Sequence, residues 1–311
     1  MRIPPRLLVA LLVAYAAIPA YAGFWALPIE AELDLADRIV AGKIIKIDPI
    51  QGDQAGNMRM GRATIAVDET LKGAKADTIE ATVVVHLDHG DGMQSPPRIY
   101  NKGNSGIWVI MPDGRPSHGY GLLVVNRLRE VKDHLAMLEK REWSTPVGGI
   151  QVWVGGTDSQ PGHAARQAVL FAVKNVGKES IYLPRSLYSG IVTVVAQHED
   201  GRQYELRGAG DQCEMRTEMV CEPLEPGRTR YMHWDGEDYG AFQFPKDALH
   251  GRYTVRGVLA TDRKEGVTRG RDRRSVQVWT GRVASDSTMI LARERQPEPS
   301  VGGDGKPAPQ P

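Results

Sequence analysis

The chain has 311 residues, 41% apolar and 25% charged, the composition of a folded protein with one large domain or two modest ones. Its 39 Lys and Arg stand against 38 Asp and Glu, a net +1; Arg2 and Arg6 lie in an acid-free leader, so without it the chain carries −1. That near-neutrality argues against nucleic acid or an acidic membrane as the main partner. The 34 Gly and 20 Pro against 4 Phe predict short strands and many turns.

Residues 1–22 read as a signal peptide. Arg2 and Arg6 form a positive start, Leu7–Ile18 is an unbroken apolar run, and Ala20-Tyr21-Ala22 places small residues where a signal peptidase reads, so cleavage is expected between Ala22 and Gly23. The run is short for a hydrocarbon core about 30 Å thick. An uncleaved anchor is the alternative. No Cys follows the run, so a lipid anchor is not expected, and no later segment reads as transmembrane. Export puts the two cysteines, Cys213 and Cys221, in an oxidising space, where a disulfide is expected over a redox or metal pair.

Residues 23–140 read as a first domain. Glu30–Ala36 suits one or two helical turns, and Arg38–Ile47 a strand containing Gly42. Ala63, Ile65 and Val67 alternate with polar neighbours, and Ile79, Ala81, Val83, Val85 and Leu87 share one face of the next strand. Ile107–Met111 and Leu122–Val125 flank the turn signal Pro112-Asp113-Gly114 and read as a hairpin. Val131, Leu135 and Leu138 mark a short amphipathic helix. Residues 141–149 read as a linker. Residues 150–295 carry strand-like runs at 150–154, 168–175, 181–183, 191–198, 203–206, 229–234, 253–260, 275–280 and 288–291, without intervening helices, which predicts an antiparallel sandwich. Residues 296–311 are Pro- and Gly-rich and read as a disordered tail.

The words Ala36-Asp37-Arg38-Ile39-Val40-Ala41-Gly42, Val67-Asp68-Glu69-Thr70-Leu71-Lys72-Gly73 and Gly106-Ile107-Trp108-Val109-Ile110-Met111 resemble the barrel of tissue inhibitors of metalloproteinases and netrin-like modules. The resemblance covers about a third of the chain and implies an OB-like five-stranded barrel. Those inhibitors chelate a protease zinc through an N-terminal Cys; here Gly23-Phe24-Trp25 stands instead, with no Cys in the domain. A second third resembles the immunoglobulin-like sandwich of bacterial intracellular proteinase inhibitors. Its carriers are Phe171-Ala172-Val173-Lys174-Asn175, Leu224-Glu225-Pro226-Gly227, Trp234-Asp235-Gly236 and Gly251-Arg252-Tyr253-Thr254-Val255.

Chemistry-bearing clusters are few. Gly103-Asn104-Ser105-Gly106 resembles a serine nucleophile loop, but Ile107 stands where an elbow needs Gly, and a polar turn is the simpler reading. His86, Asp88, His89 and Asp91 are the densest ligand-like set, and a solvated loop explains them as well. Arg263, Lys264, Arg269, Arg271, Arg273 and Arg274 crowd one connection, diluted by Glu265 and Asp272 and lacking an aromatic for base stacking; a hairpin tip is expected. Trp25, Trp108, Trp143, Trp153, Trp234 and Trp279 are expected mainly in cores. No phosphate-cradling glycine loop occurs, so no cofactor is expected. Together these features predict an exported all-β protein, periplasmic, cell-surface or secreted. It is read as a non-catalytic module that binds a protein or envelope component. A proteinase inhibitor and an unrecognised hydrolase are the alternatives.

Overall fold

The computed structural model of the chain describes residues 28–55, 58–87, 98–117, 120–157, 168–184, 191–206, 219–231, 242–244, 250–268 and 273–292. The described chain is mostly strand, as expected. It opens with helix α1 (Ile29–Leu35) and continues through β1 (Arg38–Ala55), β2 (Met58–Lys72), β3 (Thr78–Leu87), β4 (Ser105–Ile110) and β5 (Leu122–Leu123). A 3-10 turn over Val125–Arg127 leads into helix α2 (Leu128–Glu139).

These five strands form one antiparallel sheet in the order β3-β2-β1-β4-β5. The period-two pattern read from β2 and β3 is realised: Ala63, Ile65, Ile79, Ala81 and Val83 are all buried, packed with Val40, Ile44 and Trp108. The sheet curls because β1 shifts register against β2 at several points, one of them between Ala41 and Gly42. A Cβ at Gly42 would lie 2.2 Å from the Ala66 carbonyl oxygen, so only glycine lets the two backbones approach there. The Gly42 carbonyl in turn accepts a hydrogen bond from the buried Trp108 indole at 3.0 Å.

The second half contains β6 (Ile150–Thr157), β7 (Ala168–Asn175), β8 (Ile181–Pro184), β9 (Val192–His198), β10 (Gln203–Leu206), β11 (Val220–Leu224) and β12 (Thr229–Tyr231). It ends with β13 (Phe242–Gln243), β14 (Gly251–Thr261), β15 (Glu265–Thr268), β16 (Ser275–Gln277), β17 (Gly281–Ala284) and β18 (Thr288–Ala292). One sheet runs β10-β9-β14-β17, with β18 also on β14; a second runs β12-β7-β13, with β6 on β7; a third runs β16-β15-β11-β8. The first two face each other across a core of Ile150, Val152, Val154, Phe171, Val194, Tyr253, Val255 and Leu259. Among the described strands of this half the pairing is antiparallel, as expected of the sandwich, except that β11 and β15 run parallel, Val220 opposite Val267 and Cys221 opposite Thr268.

The two halves share a core. On β4, Trp108 and Ile110 point into the first sheet's own interior, whereas Ile107 and Val109 point the other way. On β6 and β7, Trp153, Leu170 and Ala172 likewise turn their backs on the sandwich. These residues meet Ile29, Leu33, Val131 and Leu138 from the two helices and Tyr231 from β12 in a single buried cluster. Strands β4, β6 and β7 are therefore covered on both faces, and α1 and α2 fill the seam between the halves. Residues 141–149 run along this seam: Ser144 is buried, its hydroxyl accepts the Val152 N–H at 3.0 Å, and Val147 pairs with Ile150.

Candidate functional site

The residues singled out by sequence fall in three separate places. His86 is exposed near the end of β3, opposite Arg59 in register, while Asp88, His89 and Asp91 lie outside the described residues. Ser105 is exposed at the start of β4, opposite Lys43. The turn before it is held by backbone: Gly103 N–H donates to the Ile44 carbonyl, and Ile44 N–H to the Asn104 carbonyl, both at 2.9 Å. Asn104 Oδ1 closes the turn by accepting the Asn101 N–H at 2.7 Å. Ser105 is thus the first residue of a strand leaving a polar turn. Arg263, Lys264, Arg273 and Arg274 are exposed around the antiparallel hairpin β15–β16; Arg269 and Arg271 lie outside the described residues.

Trp108, Trp153 and Trp279 are buried and Trp143 half-buried, as expected of core tryptophans; Trp25 and Trp234 lie outside the described residues. Cys221 requires a correction. It is a free, buried thiol, and the expected Cys213–Cys221 bridge is not formed; Cys213 lies outside the described residues. The site is a packed one, where Cys221 Sγ lies against Gly266, and a Cβ there would approach it to 2.5 Å. Burial pushes the Cys221 thiol up to about 11, which keeps it protonated and unreactive. Ala22 and Gly23, the expected cleavage site, lie outside the described residues.

Sequence gave no warning of the polar cluster at the seam. Arg141 makes a two-pronged pair with Asp34 of α1: Nη1 lies 2.7 Å from Oδ2 and Nη2 2.6 Å from Oδ1. The Tyr231 hydroxyl donates to Asp34 Oδ2 at 3.0 Å and accepts from Arg141 Nη1 at 3.2 Å. The guanidinium lies over the Trp143 ring, 4.7 Å from its centroid, and 5.9 Å from that of Trp153. Lys72, at the end of β2, donates to the Leu33 and Asp34 carbonyls at 2.9 and 2.6 Å, capping the last turn of α1. Burial lowers the Lys72 pKa and raises that of Tyr231. Elements from both halves thus converge on one carboxylate. An arginine that cannot lose its proton and an acid fixed by three donors make a fastener rather than a reaction centre.

A second buried group lies on the same helix. Glu32 accepts a hydrogen bond from the Ser117 hydroxyl, and Ser117 Oγ accepts the Tyr120 N–H at 3.2 Å. Glu30 lies 3.6 Å from His134 Nδ1, whose Nε2 lies 3.8 Å from Glu130. Burial, then the charge of Glu32, raises the Tyr120 pKa well above its ordinary value. Among the described residues no group of three His, Cys, Asp or Glu is placed to hold a metal ion, and no helix is long and apolar enough to cross a membrane.

The outer end of the first sheet is different in kind. Val124 and Val125 follow β5 directly and are 59% and 54% exposed; Ile45, two residues along β1 from the Lys43–Ser105 rung, is 44% exposed. Because Ile107 pairs with Leu123, Val125 stands at the same end of the sheet as Ser105 and Ile45. Three exposed aliphatic residues therefore stand towards the end of the sheet that carries the Gly103–Ser105 turn. Searches of protein-family models, curated proteins and solved structures return no match to this chain.

Proposed function

We propose that this chain is an exported, non-catalytic binding protein that recognises another protein or envelope component through the outer end of its first sheet. The observation that carries the reading is that Ile45, Val124 and Val125 are all exposed towards the sheet end that carries the 103–105 turn. Exposed aliphatic groups towards one end of a sheet, beside a backbone-fixed polar turn, suit an apolar contact with a polar rim. The seam supports it, because a shared core lets the second half brace the surface offered by the first. We read the first half as an OB-type barrel on two grounds: its strand order, and the Thr82 and Tyr100 N–H groups that bond Gly114 and Val84 across the open side of β3. The second half, with two sheets facing across one core, we read as an immunoglobulin-like sandwich.

The test compares the mature chain with an Ile45→Ser, Val124→Ser, Val125→Ser variant, each immobilised and exposed to envelope and culture-fluid extracts of the source organism. A component retained near one-to-one by the parent and lost by the variant supports the reading. Equal retention by both, or none by the parent, overturns it.

A further inference from the structure

We propose that His198 is a proton-operated clasp that joins the β9–β10 turn to the start of β14. The imidazole ends β9 with its side chain only 8% exposed, and its ring stacks at a tilt on Tyr253, 4.9 Å between centroids. Each ring nitrogen faces an oxygen. Nδ1 lies 2.8 Å from Asp200 Oδ1, and Nε2 lies 3.1 Å from the His250 carbonyl. A carbonyl and a carboxylate both accept, so both contacts carry a hydrogen only when the ring is the imidazolium.

The surrounding groups define what happens when the proton leaves. Asp200 and Glu199 supply negative charge from the turn, Arg202 sits beyond Asp200 with Nε 3.2 Å from its Oδ2, and Tyr204 approaches Tyr253 from β10. On β14, Arg252 is exposed, and its carbonyl accepts the Glu199 N–H at 3.0 Å; His250 precedes the strand and contributes its carbonyl. The Asp200 N–H also lies 3.3 Å from His198 Nδ1. The neutral ring therefore has a second arrangement. It keeps Nε2–H on the His250 carbonyl, takes the Asp200 N–H at Nδ1, and releases the Asp200 carboxylate towards Arg202. Gly251 makes the close approach possible: its φ is +137°, and a Cβ there would lie 2.6 Å from His198 Nε2.

The hydrogen bond that the ring donates to the Asp200 carboxylate, outweighing the opposing effect of burial, leaves the His198 pKa raised. A raised folded-state pKa means that the clasp's contribution is complete below the unfolded value of about 6.5 and fades as pH rises through the folded value. The test is a long-range proton–nitrogen NMR titration of the ring nitrogens in the full chain, with the His198 signals assigned by their loss in His198→Gln. Both nitrogens are expected to carry protons at pH 6, with a midpoint above about 6.5. In Asp200→Asn the midpoint is expected to fall by roughly one pH unit. A midpoint at or below 6.5, or a ring with one bare nitrogen at pH 5, overturns the proposal. The parent titration decides this alone if Asp200→Asn fails to fold. An unchanged midpoint in a folded Asp200→Asn overturns it equally.

Discussion

The seam and the clasp answer the same physical problem with opposite chemistry. Both set a cation against an aspartate, and both tie segments far apart in sequence: Arg141 reaches Asp34, and His198 reaches the His250 carbonyl. At the seam the cation is a guanidinium, charged at every accessible pH, held by two bonds to Asp34 and stacked on Trp143. At the turn it is an imidazole, which can return its proton and has a second donor waiting at Nδ1. The first arrangement fixes the relation between the two halves. The second leaves one hairpin responsive to pH. Which one a protein uses decides whether a junction is permanent or conditional.

The comparison breaks most sharply at Asp34. Asp34→Asn leaves the Arg141 guanidinium without its counter-charge at a site where the two side chains are 14% and 11% exposed. Removing one partner of a buried pair costs about 3–5 kcal/mol, because the other charge stays behind. Urea unfolding should show that loss as a lower midpoint at constant slope. The loss should be the same at pH 6 and pH 8, since the guanidinium left behind is charged at both.

Gly251→Ala attacks the clasp through the backbone. The new Cβ would meet His198 Nε2, and the φ of +137° disfavours any L side chain, so about 1–3 kcal/mol of stability should go. The His198 titration midpoint should fall in the same variant, which a strain confined to the backbone would not cause.

Tyr231→Phe is the milder cut at the seam. It removes one hydroxyl that donates to Asp34 and accepts from Arg141 while leaving the charge pair intact. A loss of about 1 kcal/mol in thermal or urea unfolding is expected, clearly less than for Asp34→Asn. Equal losses in the two variants would mean that the hydroxyl, rather than the charge, holds the seam.

Much of the fold was readable because the strands obey local rules. Alternation marked β2 and β3, the spacing of Val131, Leu135 and Leu138 marked α2, and the runs 168–175 and 203–206 coincide with β7 and β10. Four strands were missed, β17 among them, and for three the reason is physical. β11 contains Pro223, β15 begins Glu265-Gly266, and β13 is two residues long, so none shows the pattern of a half-buried strand. The seam was illegible because its partners are 107 and 197 residues apart, and a linker-like composition concealed Arg141 and Ser144. Of the outer end, only the Gly103–Ser105 turn was legible. Ile45, Val124 and Val125 look like any strand aliphatics until the fold leaves them about half exposed.

Arg127 and Glu130 provide the control for the seam, because they repeat its chemistry in water. Arg127 Nε donates to Glu130 Oε2 at 2.8 Å and Nη2 to Oε1, again a two-pronged pair, but the side chains are 31% and 40% exposed. Solvent screens such a pair, so Arg127→Gln should cost less than about 1 kcal/mol. The bond from Arg127 holds the Glu130 pKa below its usual range. The pair's contribution is therefore present above the ordinary glutamate value of about 4.3 and is lost as pH falls through the depressed one. Parent and Arg127→Gln stabilities should then converge in acid, and 1 M salt should narrow the gap near neutrality. A loss in Arg127→Gln matching that in Asp34→Asn would show that burial is not what separates the two forks.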